Sequence, residues 1–300
     1  MTIPGFLQRL LFVHGAWNHI RISNVVLYTL YKNIVLYIIQ LYYAAYNNWT
    51  GTILFDQWTI NFYNLIFTAL PPMALGLFDK ICSDETRERN PRLYKATQSG
   101  SYFTVKAFGM WMANALLHSV ICFWMCKEAY GQSNQWPNGR SSGRFVLGTT
   151  TYTCALLTVI MRAALQFSTL SWPVHTAIWG SIAAWFIFII THSYSWPVLG
   201  STSDFFKNLA DFSGMIEILG STPDFYLLIM LVPITALITD VFYKAVKTTV
   251  CPDEIDRAIF QENYYHSRGK RCPQVWPLTQ FFFCSLFGKM SLICLERANP

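Results

Sequence analysis

Lys32 and Asn33 sit side by side inside an apolar run, Leu27 to Tyr43, whose other residues are Leu, Tyr, Thr, Ile, Val and Gln. An ammonium and an amide are donors suited to phosphate and carboxylate oxygens passing a low-dielectric wall. The stretch from Ile22 to Tyr46 can cross a bilayer, since about 20 apolar residues at 1.5 Å each span the hydrocarbon. Lys32 then lies about ten residues, or roughly 15 Å, from one end, close to the midplane. A lysine there costs on the order of 2.5–3.5 kcal/mol, so it is expected to face protein or a water-lined interior, and it marks a functional site. Snorkelling to an interface, the plainer reading, suits a helix end better than this position.

A second set of residues follows after one tight turn. Gln57, Asn61, Asn64, Thr68 and Pro71 are spaced 4, 3, 4 and 3, which places them on one helical face. Pro71 and Pro72 lack the amide hydrogens that would bond the carbonyls of Phe67 and Thr68, so a kink or loosening is expected there. Unwound backbone at membrane depth is tolerated only against protein or water. A polar row, a broken helix and a midplane lysine are consistent with a polar pathway between two spans. Interhelical hydrogen bonding as packing glue, about 0.6 kcal/mol per contact, is the alternative.

The elements that must position these residues are membrane spans. Of 300 residues, 53% are hydrophobic and only 13% charged, far from a soluble average. An all-α, polytopic transmembrane bundle with six spans is expected, at about 22–46, 57–78, 103–125, 145–167, 174–195 and 225–243. Residues 1–21 read as a cytosolic amphipathic lead-in rather than a signal peptide, because Leu10 to Val13 is too short an apolar core. Residues 22–247 form the membrane domain, and 248–300 a poorly ordered or interfacial cytosolic tail. Tryptophans 49, 58, 124, 136, 172 and 196 fall near the span ends, as an aromatic belt would. Lysine and arginine concentrate at the termini and at 79–101, which the positive-inside rule places in the cytosol.

The net charge of +6 reflects that topology, and no basic stripe or nucleic-acid motif accompanies it. The eight cysteines lack zinc spacing and read as small buried hydrophobes, Cys122 and Cys126 sharing one helix face. Within the third span, Asn114 and His118 suggest a packing hydrogen bond. Asp240 and Lys244, four apart near the end of the sixth, suggest an i,i+4 ion pair.

Several stretches together resemble the carboxy-terminal membrane domain of the P4-type ATPases, the phospholipid flippases. They are Leu10–Gly15, Tyr31-Lys-Asn33, Phe55-Asp-Gln-Trp58, Asn64 to Pro72, Pro91 to Lys95, Trp179-Gly-Ser181 and Thr239-Asp240. The match runs over about residues 6–250 and is nearest the aminophospholipid-flipping branch. The resemblance implies that the spans correspond to helices five to ten of a ten-helix pump. It also implies that Lys32 and Asn64, with Asn33 beside the lysine, handle the phospholipid head group. The implied partners are the phospholipid, the membrane and the family's two-span glycosylated β-subunit. The implied locations are the plasma membrane, Golgi or endosomes.

The Asp-Lys-Thr-Gly-Thr phosphorylation motif and the Asp-Gly-Glu-Thr loop are absent from the sequence. Mg and ATP would therefore bind cytosolic domains of the family that this chain does not contain, and the chain reads as a fragment without ATPase activity of its own. A truncated isoform that binds the β-subunit or modulates complete pumps is the second reading. An unrelated transporter or channel with Lys32 as counter-ion is the third, weakened because the two halves show no internal repeat.

Overall fold

The computed structural model describes residues 7, 9–90, 92–100, 102–131, 143–169, 171–199, 214–250 and 257–258. Most of the expected 248–300 tail, and residues 132–142 and 200–213, lie outside these residues. Among those described, six helical segments are long and apolar enough to cross a membrane, and the secondary structure is helical throughout. This is the all-α polytopic bundle expected.

The first span is longer than its hydropathy suggests. A π-helix over Leu10–Gly15 runs without a cap into α1, Ala16–Tyr46, so the lead-in and the span are one continuous helix. The chain turns back through Asn48 and Trp49, both with positive φ (51° and 58°). Asp56 then caps the second span by accepting from the amides of Trp58 and Thr59, as an N-cap carboxylate does. That span is in three parts: α2 (Gln57–Phe62), a π turn (Tyr63–Phe67) and α3 (Leu70–Phe78). The break falls at Thr68 and Ala69, ahead of Pro71 and Pro72.

The basic segment carries two short helices, α4 (Asp84–Arg89) and α5 (Arg92–Gln98). The remaining spans are α6 (Val105–Gly131), α7 (Arg144–Gln166), α8 (Trp172–Leu199) and α10 (Pro223–Val250), with the short α9 (Met215–Ser221) before the last.

The fourth span is the axle of the bundle: 72% of its apolar window is buried, against 28–44% for the others. Its sequence explains this. Small and β-branched residues from Gly148 to Ala155 let neighbours approach closely. The hydroxyls of Thr153 and Thr158 bond back to the carbonyls of Thr149 and Cys154, so they add no unsatisfied polar groups. A Cβ on Gly148 would stand 2.3 Å from the Leu54 carbonyl oxygen, so only glycine fits there. Phe67, Tyr152, Trp185 and Phe188 form an aromatic cluster at this axle, with Phe67 edge-on to Tyr152 and Trp185.

At the basic end, the buried Asp79 ties the second span to the turn after α7. Its carboxylate accepts from the amides of Ser168 and Thr169 at 2.8 and 3.3 Å, and its carbonyl accepts from Arg21. In α4, Arg87 is 2% exposed, and none of its three guanidinium nitrogens has a hydrogen-bond partner among the described residues. Cys82, Cys122, Cys126 and Cys154 are free and buried; the other four cysteines lie outside the described residues.

Candidate functional site

Lys32 is 3% exposed and faces the protein interior. Its ammonium donates to the Thr68 carbonyl at 3.0 Å and to the Thr68 hydroxyl at 2.8 Å. The carbonyl is the one that Pro72, lacking an N–H, leaves without an i→i−4 donor. A side chain of the first span thus supplies the hydrogen bond that the second span cannot make for itself. The Thr68 hydroxyl passes its own proton to the Tyr63 carbonyl at 2.7 Å, and that carbonyl also takes the Thr68 amide at 2.9 Å. The Tyr63 hydroxyl in turn donates to the Lys32 carbonyl at 2.9 Å, and its ring lies 5.9 Å from the ammonium. Lys32, Tyr63 and Thr68 therefore form a closed circuit around the helix break.

The other sequence candidates are placed differently. Asn33 is half-buried, and its amide oxygen is enclosed with no hydrogen-bond partner among the described residues. Asn64 is exposed, as are Gln57 and Asn61, whereas Thr68 and Pro71 are buried. The polar row so divides in two. The π turn changes the pitch of the helix after Phe62, and the break at Thr68 carries the second half inward. Lys32 is brought to Thr68, and Asn64 faces outward beside Leu65 and Ile66.

A second buried cluster replaces two of the expected short-range pairs. Asp240 takes the side-chain amide of Asn114 at 2.7 Å and the guanidinium of Arg162 at 3.2 Å, while Lys244 donates to the Leu165 carbonyl at 2.8 Å. The i,i+4 pairing of Asp240 with Lys244 is thus corrected: a carboxylate with 5% exposure needs a partner at its own depth, and Lys244 lies a turn nearer the helix end. His118 and Asn114 do not form a pair with each other. His118 stands with Nε2 3.6 Å from Asp240 and Nδ1 2.5 Å from the Tyr31 hydroxyl. Arg162 and Asp240, two opposite charges inside apolar spans, were the sequence signal for this cluster.

The comparisons with known proteins agree with this architecture. Residues 5–253 match the family model described as phospholipid-translocating P-type ATPase C-terminal. The chain belongs to this family. It is 38% identical over 254 residues to the phospholipid-transporting ATPase tat-1 of Caenorhabditis elegans, covering 85% of this chain and 22% of that protein. It is 34% identical over 252 residues to the phospholipid-transporting ATPase DRS2 of Saccharomyces cerevisiae, covering 83% and 18%. Phospholipid-transporting ATPase 10 of Arabidopsis thaliana is 33% identical over 247 residues, covering 82% and 20%. The chain therefore spans about a fifth of the length of the relatives it matches. As a member of this family with, among the described residues, six helices long and apolar enough to cross a membrane, it is an integral membrane protein.

Proposed function

We propose that this chain is the membrane portion of an aminophospholipid flippase and that Lys32 meets the anionic part of the lipid head group. One observation carries this reading: an ammonium at membrane depth is held by the carbonyl and the hydroxyl of Thr68 at the helix break, leaving its third N–H for an incoming oxygen. The Thr68 carbonyl and hydroxyl anchor the charge without neutralising it, so it stays attractive to phosphate or carboxylate. Asn33 adds an enclosed amide oxygen, an acceptor suited to the ammonium of an amino head group. The exposed Asn64 belongs to the same reading through the family resemblance, as an outer contact along the second span.

In this reading the lipid moves from the exoplasmic to the cytosolic leaflet, and the basic 79–101 segment is cytosolic. ATP and Mg bind cytosolic domains of the family, since no phosphorylation or nucleotide motif occurs in this sequence. The two-span glycosylated β-subunit is the expected partner, and the plasma membrane, Golgi or endosomes the expected location. The test is a chimaera in which residues 5–253 replace the matching stretch of the Caenorhabditis elegans relative. Its ATP hydrolysis is measured against phosphatidylserine in mixed micelles. Lys32→Ala should raise the half-saturating concentration about 10- to 150-fold, the equivalent of a charge-assisted contact. Asn64→Ala should raise it less, and Lys244→Ala should leave it nearly unchanged. Lys32→Ala behaving like Lys244→Ala would overturn the reading.

A further inference from the structure

A second set of contacts reaches α1 from groups that have no place in the circuit around Lys32. Tyr31, the residue before the lysine, is fully buried, and its hydroxyl lies in hydrogen-bond contact with His118 Nδ1 at 2.5 Å. His118 is also fully buried, and its Nε2 stands 3.6 Å from the Asp240 carboxylate, an electrostatic contact longer than a hydrogen bond. Asp240 is held by Arg162 of α7 and Asn114 of α6 at 3.2 and 2.7 Å. Trp111 closes the cluster, lying 5.0 Å from the Arg162 guanidinium and edge-on to Tyr31 at 5.9 Å. Residues of four spans are therefore linked in one buried cluster, and its contact with α1 is the Tyr31 hydroxyl, one residue before the candidate lipid-binding lysine.

Such a cluster is poorly explained as a source of stability. Burying an aspartate and an arginine incurs desolvation that their attraction about offsets, and the best-attested use of a buried pair is to fix register. Rotation of α1 is the register at stake here. Turning a helix by one residue moves each side chain by 100°, so a modest loosening at Tyr31 displaces the Lys32 ammonium from Thr68.

We propose that Tyr31, His118 and Asp240 form a positioning relay that sets the rotation of α1 and so holds the Lys32 ammonium on the broken second span. Its functional meaning rests on the flippase reading above; the geometric claim does not. None of the three touches the lysine's amine, and each acts through the helix that carries it.

The experiment uses the complete 300-residue chain in phosphatidylcholine nanodiscs. Acetic anhydride labels amines, and peptide mass spectrometry compares Lys32 with the exposed Lys247. Tyr31→Phe keeps the ring and removes one hydroxyl, and is expected to raise relative labelling of Lys32 about 2- to 12-fold, the equivalent of one neutral hydrogen bond. Tyr130→Phe, which removes a similar hydroxyl contact between α6 and α7, should leave it unchanged. His118→Leu should act like Tyr31→Phe, and the double variant should label no faster than the stronger single one. Unchanged labelling in Tyr31→Phe, an equal rise in Tyr130→Phe, or additive effects of the two relay variants would each overturn the proposal. If His118→Leu does not fold, Tyr31→Phe against Tyr130→Phe still decides. In the chimaera, Tyr31→Phe should raise the half-saturating phosphatidylserine concentration and have no further effect when Lys32 is already alanine. A lipid response indifferent to Lys32→Ala would sink the flippase reading while leaving the labelling result intact.

Discussion

The pairing of Lys32 with Thr68 can be measured as a coupling energy. Thr68→Val keeps the β-branch and the volume but removes the hydroxyl that accepts from Lys32 at 2.8 Å and donates to the Tyr63 carbonyl at 2.7 Å. The first bond involves a charged donor and is worth about 1.5–3 kcal/mol, the second is neutral and worth about 0.5–1.5 kcal/mol. Thr68→Val should therefore destabilise the bundle by about 2–4.5 kcal/mol. The Tyr63 carbonyl is not orphaned, because the Thr68 amide still reaches it at 2.9 Å. When Lys32 is first replaced by methionine, only the neutral bond remains to be lost, and Thr68→Val should cost about 0.5–1.5 kcal/mol. The difference, about 1.5–3 kcal/mol, is the coupling that a double-mutant cycle isolates. The assay is unfolding of the chain in bicelles by titration with SDS, for wild type, both single variants and the double variant. Coupling below about 0.5 kcal/mol, within the usual error of additivity, would refute the pairing.

Three further outcomes are expected. Gly148→Ala should destabilise by about 1–3 kcal/mol, because its methyl group meets the Leu54 carbonyl at 2.3 Å and the loop must shift; thermal unfolding in detergent against Gly109→Ala, where the space is open, checks it. Arg87→Met should be neutral or stabilise by about 1–4 kcal/mol, since burial lowers the guanidinium pKa and none of its nitrogens is bonded among the described residues; a marked loss of stability in the same melt would contradict it. Burial raises the Asp79 carboxyl pKa, partly opposed by the amides of Ser168 and Thr169 and by Arg21. The folded chain then holds that proton more tightly than the unfolded one, so stability should fall as pH rises out of the ordinary carboxylate range into the raised one. Asp79→Asn should flatten that part of the pH profile, and an unchanged slope would count against it.

The number of spans and the break in the second were legible because hydropathy and a missing amide hydrogen are local properties. The proline pair identified the carbonyl of Thr68, and the depth of Lys32 identified a cation in need of acceptors. That the two belong to each other was not legible, since their separation of 36 residues leaves no periodic signal. Asp240 shows the same limit more sharply. Its neighbour four residues on has the right charge, yet the carboxylate reaches 126 residues back to Asn114, because depth in the bundle outweighs proximity in the chain. The outward placement of Asn64 was hidden for another reason. A 3.6-residue period was carried through Tyr63–Phe67, where the helix is in fact π.

The hydrogen bond from Lys32 to Thr68 also has a consequence for biogenesis. A carbonyl without a donor inside the hydrocarbon costs several kcal/mol, so the second span cannot complete its own backbone bonding as an isolated segment. Its missing donor lies on the helix that leaves the ribosome first, since chains are made from the amino terminus. The first span is thus the template on which the second is finished. Reversing their order of insertion would strand the Thr68 carbonyl in lipid until Lys32 arrived.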